Sequence, residues 1–93
     1  MKLFTLIIDY NGGTYIAQVL SKNHEEAPTK CIKNWDINSI QNIITEKDRL
    51  LILEQLHEED FVPIKGMKNV WCGCANLRNH FIVLNLIQTE NIK

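Results

Sequence analysis

Two runs near opposite ends of the chain, Leu3–Ile8 and Phe81–Leu84, carry apolar residues on both alternate faces rather than on one. A strand with one wet face alternates in polarity. A run apolar on both alternate faces belongs inside a sheet, with a neighbour on each edge. Both runs are therefore predicted to be interior strands, and each must bring its own partner.

The first run has one. Asn11-Gly12 supplies the two positive-φ positions of a type I′ turn, with Gly13 beside it. Tyr15–Leu20 then returns as a strand, Tyr15, Ala17 and Val19 on one face and Ile16, Gln18 and Leu20 on the other. Val70–Leu77 and His80–Gln88 read as a second hairpin around Arg78-Asn79, a pair without the glycine that type I′ turns favour.

Between the hairpins the period changes. Asn23 with Glu26 has the form of a helix cap, and Pro28 offers a second start, because a proline in the first turn removes no needed bond. From either start, Pro28, Cys31, Ile32 and Trp35 share one helical face. Asp36 can cap a short or broken helix over Ile37, Ile40 and Ile43 or Ile44. Thr45–Asp48 caps a further helix over residues 46–58, with Leu50, Leu53 and Leu56 or His57 as its stripe. Phe61–Asn69 reads as a loop and Thr89–Lys93 as a polar tail.

The expected architecture is α+β: β-β-α-α-β-β, a four-stranded antiparallel sheet in the order 2-1-4-3 with the helices on one face. Its 93 residues make a single domain, 1–93. At 45% hydrophobic and 23% charged residues, disorder and fibrous repeats are excluded. No apolar run approaches the roughly 20 residues that span a bilayer. Leu3–Ile8 is too short for a signal-peptide core, so the expected location is the cytoplasm. A net charge of −1 argues against non-specific nucleic-acid binding.

Few residues could carry chemistry. Cys72 and Cys74 share a strand face and His80 lies across the turn, so the three could form a metal or small-ligand site. A lone Cys-x-Cys more often marks two small buried side chains, and the expectation is no metal and no cofactor. Nucleophile elbows, phosphate loops and dinucleotide fingerprints are absent, so no catalytic residue is assigned and the chain is expected not to be an enzyme. Lys65, Lys68 and Arg78 would be the cations of a nucleic-acid-binding accessory domain. Trp71 faces away from the two thiols. It packs into the core if they point outward, and becomes a partner anchor on an open sheet face if they point inward. Glu54, Glu58, Glu59 and Asp60 gather at the C-terminal end of the 46–58 helix, where acids oppose the helix dipole. Residues 46–60 hold six acids against Lys47 and Arg49, and an uncompensated break of a local rule marks a candidate site.

Gly12-Gly13-Thr14-Tyr15-Ile16-Ala17-Gln18-Val19 and His24-Glu25-Glu26-Ala27 resemble the start of HicB-type antitoxins, small bacterial domains that open with a Gly-Gly hairpin and a helix introduced by Glu-Glu-Ala. The chain departs from that pattern in having no third strand before the helix and in Pro28. The leading functional expectation is a non-enzymatic binding protein, an inhibitory partner such as an immunity protein or antitoxin. Glu54, Glu58, Glu59, Asp60 and Trp71 would contact another protein, such as a basic toxin, and the open sheet face offers a homodimer interface.

Overall fold

The computed structural model describes residues 1–56 and 61–91. In chain order these form β1 (Lys2–Tyr10), β2 (Gly13–Ser21), α1 (Ala27–Asn34), a single 3₁₀ turn (Asn38–Ile40), α2 (Glu46–Gln55), β3 (Val62–Pro63), β4 (Val70–Leu77) and β5 (His80–Asn91). The sheet is antiparallel, in the order β2-β1-β5-β4-β3. Both doubly apolar runs are interior strands, as predicted. The correction is the fifth strand. Val62-Pro63 lies in the stretch expected to be a loop, yet it pairs with Trp71 and Cys72. Proline is tolerated there because β3 is an edge and the missing N–H faces no partner.

The two hairpin turns lie at the same end of the sheet. Asn11 and Gly12 have φ of 48° and 85°, and Arg78 and Asn79 of 50° and 66°. Both turns therefore place two consecutive residues in the left-handed region, as a type I′ turn requires. For Arg78 that conformation costs roughly 1–2 kcal/mol. The turn aims its guanidinium inward, where it donates to the Ile43 carbonyl (2.7 Å) and pairs with Asp48 (3.0 Å). A hydrogen bond to Tyr10 and the nearby Asp48 charge push the Arg78 pKa still higher. The strained turn is thus held by contacts that tie it to the start of α2.

Both helices pack on one face of the sheet, α1 over β1 and β2 and α2 over β4. Helix α1 starts at Ala27 with Pro28 in its first turn, and the Asn23 side chain accepts from the Glu26 N–H at 3.0 Å just ahead of it. Pro28, Cys31, Ile32 and Trp35 are buried, the predicted face. At its far end Arg49 donates to the carbonyls of Ile32 (3.1 Å) and Lys33 (2.6 Å), satisfying bonds that a helix terminus leaves open.

Helix α2 begins with the predicted cap. Thr45 Oγ1 accepts from the Asp48 N–H, and Asp48 accepts from the Thr45 N–H. The predicted stripe holds at Leu53 and Leu56, which pack against the core, and fails at Leu50; His57 lies outside the described residues. Leu50 is 58% exposed and Leu51 is also exposed, whereas Asp48 and Ile52 are buried with Leu53 and Leu56 beside them. Asp48 is held by its cap and by Arg78, which fixes the rotation of the helix. Ile52, one turn on, faces the core, and Leu50 points away.

The core is the covered face. Phe4, Leu6, Ile8 and Tyr10 of β1, Ile82, Leu84 and Leu86 of β5, and Ala75 and Leu77 of β4 meet Cys31, Ile32, Ile44 and Ile52 from the helical layer. Phe61, also buried, lies over Gly73, where a Cβ would come within 2.9 Å of its ring.

Candidate functional site

The residues singled out in the sequence are not brought together. Trp71 is on the covered face, half-buried against the core, in the core-facing arrangement rather than as an anchor on the open face. Its ring stacks on His24 at 4.4 Å, 6° from parallel, and tilts against Phe4 at 6.2 Å. Cys72 and Cys74 lie on the opposite, open face. His80 belongs to the covered side, its ring edge-on to Tyr10 at 6.2 Å. The sheet thus stands between the two thiols and the imidazole. Among the described residues no group of three His, Cys, Asp or Glu side chains is placed to hold a metal. Lys65 and Lys68 sit in the loop before β4, and Arg78 follows its last residue, roughly 25 Å away along the strand.

The acidic cluster divides. Glu58, Glu59 and Asp60 lie outside the described residues. Of the acids before them, Asp48 is buried and paired with Arg78, and Glu46 lies 2.9 Å from Arg49 Nε, without the alignment of a hydrogen bond. Glu54 alone among the described acids of this stretch is exposed and without an ion pair.

The arrangement that stands out is the face no helix covers. The strand register places one continuous row across all five strands: Ile16, Ile7, Asn85, Cys72 and Val62. Beside it lie Val83 and Cys74 on one side and Ile87 and Val70 on the other. Phe81 is 69% exposed here, Ile16 64%, and Leu20, Val62 and Val83 are exposed as well. Asp9, which accepts from the Thr14 hydroxyl at 2.7 Å, is the one charged side chain on the described part of this face over Thr5–Asp9, Thr14–Leu20, Val70–Asn76 and Phe81–Ile87. Asn85 occupies the middle of the row on the middle strand. Its amide makes no hydrogen bond among the described residues. Apolar patches of this extent are rare on a free surface and mark contact sites.

Part of the β4 edge of the sheet is closed by a side chain. Beyond β3, the Gln55 amide donates to the Asn76 carbonyl (2.8 Å) and accepts from the Asn76 N–H (2.7 Å), standing in for a neighbouring strand. Near the hairpin end a polar cleft of about 290 Å³ is lined by Tyr10, Asn11, Asn42, Ile43, Arg78 and His80. Its arginine is already engaged by Asp48, Ile43 and Tyr10.

Sequence reasoning missed Asn85 and the exposed row. The available signal was the combination of two doubly apolar strands with a single layer of helices, which leaves one apolar face without cover. No protein family, curated protein or solved structure matches the chain. Among the described residues no helix is long and apolar enough to cross a membrane.

Proposed function

We propose that this protein is a small non-enzymatic binding protein, and that the uncovered sheet face is its contact surface. One observation carries the reading: over Thr5–Asp9, Thr14–Leu20, Val70–Asn76 and Phe81–Ile87 that face presents apolar side chains among uncharged polar ones, with Asp9 its single charge. Burying such surface contributes about 25 cal/mol per Å², which favours association over continued exposure. Cytoplasmic action as the inhibitory partner of another protein, an immunity protein or antitoxin, is the specific form we favour. Its support is small size and the exposed Glu54 on the outward side of α2, with Glu58, Glu59 and Asp60 next in sequence.

The test is native mass spectrometry of the protein isolated at its natural level. The reading expects a complex that Val83→Lys abolishes and Leu50→Lys, a change at an exposed leucine of α2, leaves intact. A complex that survives Val83→Lys, or a chain that is always alone, overturns it.

A further inference from the structure

From the open face we infer that the chain is a two-fold symmetric dimer, joined sheet to sheet about an axis passing over Asn85. This rests on the reading that the face is the contact surface, and adds what covers it: a second copy.

Size supports the assignment. Strands lie about 4.8 Å apart and rise about 3.3 Å per residue, so four long strands over eight residues present roughly 500 Å² in projection. The accessible area of side chains standing on that plane is larger, and approaches the ~800 Å² per partner of a standard interface. Two aligned sheets pack about 10 Å apart, the separation at which their inner side chains interdigitate.

Charge also favours a second copy. A face selected for an oppositely charged partner carries complementary charge, and over Thr5–Asp9, Thr14–Leu20, Val70–Asn76 and Phe81–Ile87 this one has only Asp9, set at the hairpin end and bonded to Thr14. Asp9 pairs in register with Val83, one strand aside from and two residues beyond Asn85. A two-fold axis over Asn85 that lies in the interface plane and runs along the strands therefore sets the two carboxylates about 10 Å apart, twice the strand spacing.

Asn85 supplies the specificity. In an isologous interface the residue on the axis meets itself. A carboxylate or an ammonium there would repel its copy. An amide is both donor and acceptor, and can pair reciprocally with its twin. Ile7, Cys72, Val83 and Ile87 surround it with apolar or weakly polar groups, the setting in which one buried asparagine fixes register at some cost in stability. In the monomer the same amide has no hydrogen-bond partner among the described residues.

Sedimentation equilibrium of the purified full chain, from micromolar to hundreds of micromolar, reads the association directly. The expected mass is twice the 10.8 kDa of the chain. Val83→Lys should weaken the dimer at least about 100-fold, because a two-fold axis counts each substitution twice. Asn85→Asp should give a dimer near pH 3 that dissociates as the two facing carboxylates ionise, above about pH 4. Circular dichroism checks that both variants, altered on an exposed face, still fold. A wild-type chain that stays monomeric overturns the inference, and so does a dimer indifferent to both substitutions. A monomer that nonetheless forms a Val83-dependent complex with a different protein overturns the second copy alone and leaves the function proposed above standing.

Discussion

Gly73 offers the sharpest check on how the covered face is packed. In a strand interior, Gly→Ala ordinarily stabilises by about 0.5–1 kcal/mol, because alanine has less backbone entropy to lose. Here the sign should reverse. A Cβ at Gly73 would stand 2.9 Å from two ring carbons of Phe61, against an optimal carbon–carbon separation of about 3.5–4.0 Å. The ring would have to retreat by roughly 0.6–1 Å, and it is buried, 7% exposed. Overpacking of this kind costs about 1–3 kcal/mol. For a domain of this length each kcal/mol lowers Tm by about 4–8 °C, so Gly73→Ala should melt roughly 5–20 °C below the parent. A double-mutant cycle with Phe61→Leu isolates the contact: the smaller side chain should absorb part of the alanine, with a coupling of about 1 kcal/mol or more. Urea and thermal melts of the four proteins measure it. A Gly73→Ala protein as stable as the parent, or a penalty that Phe61→Leu leaves unchanged, would refute the packing described.

Four further outcomes follow from other features of the fold. Gln55→Ala removes both bonds to the Asn76 backbone; it should cost about 1–2 kcal/mol and speed amide exchange at Asn76, as read by NMR. Iodoacetamide should modify exposed Cys74 first and half-buried Cys72 more slowly, and should spare buried Cys31 until the chain unfolds, as mass spectrometry of the digested protein would report. Burial pushes the Cys31 thiol from 9.0 up to about 12, so above pH 9 the unfolded chain sheds a proton that the native one keeps; stability should fall between about pH 9 and pH 12, and less steeply in Cys31→Ala. The slowest-exchanging amides should belong to β1 and β5, which have a strand on each side, and slower exchange in α2 would contradict that.

Much of the scaffold was legible because it rests on local chemistry. Asn11-Gly12 dictates a turn by itself, the Thr45–Asp48 box dictates a helix start, and doubly apolar runs demand interior positions. The Arg78-Asn79 turn was harder to read, since what holds it, Asp48 and the Ile43 carbonyl, is distant in sequence. Strand β3 was hidden for a similar reason. Two residues that include a proline carry no periodicity, and only the free edge of β4 makes them a strand. Of the described residues of the α2 stripe only Leu50 is out of place, because a charged residue sets the inward face. Periodicity counts leucines and cannot anticipate that Asp48 is buried with an arginine from another turn. Cys72, Cys74 and His80 looked convergent because they are close in sequence, but odd positions of β4 and even positions of β5 share a face, which puts His80 behind the sheet.

Glu54 and the apolar face suit different contacts, and the fold keeps them apart. Helix α2 packs on the covered side of the sheet, so Leu50, Leu51 and Glu54 point away from the Asn85 face. A dimer formed sheet to sheet would be four layers deep, helices outside and sheets within, and would display two copies of the α2 outer surface on opposite sides. The apolar face would supply affinity that salt leaves largely unchanged, since Asp9 is its one charge over Thr5–Asp9, Thr14–Leu20, Val70–Asn76 and Phe81–Ile87. Contacts made through the acids would weaken with salt as their attraction is screened over about 10 Å at 0.1 M. Glu54 thus needs no place in the dimer contact. What remains among the described acids of the cluster, once Asp48 is committed to Arg78 and Glu46 lies beside Arg49, is Glu54 on the outer side of α2. If a basic protein is bound, it meets that outer surface, twice per dimer, while the sheets stay occupied with each other.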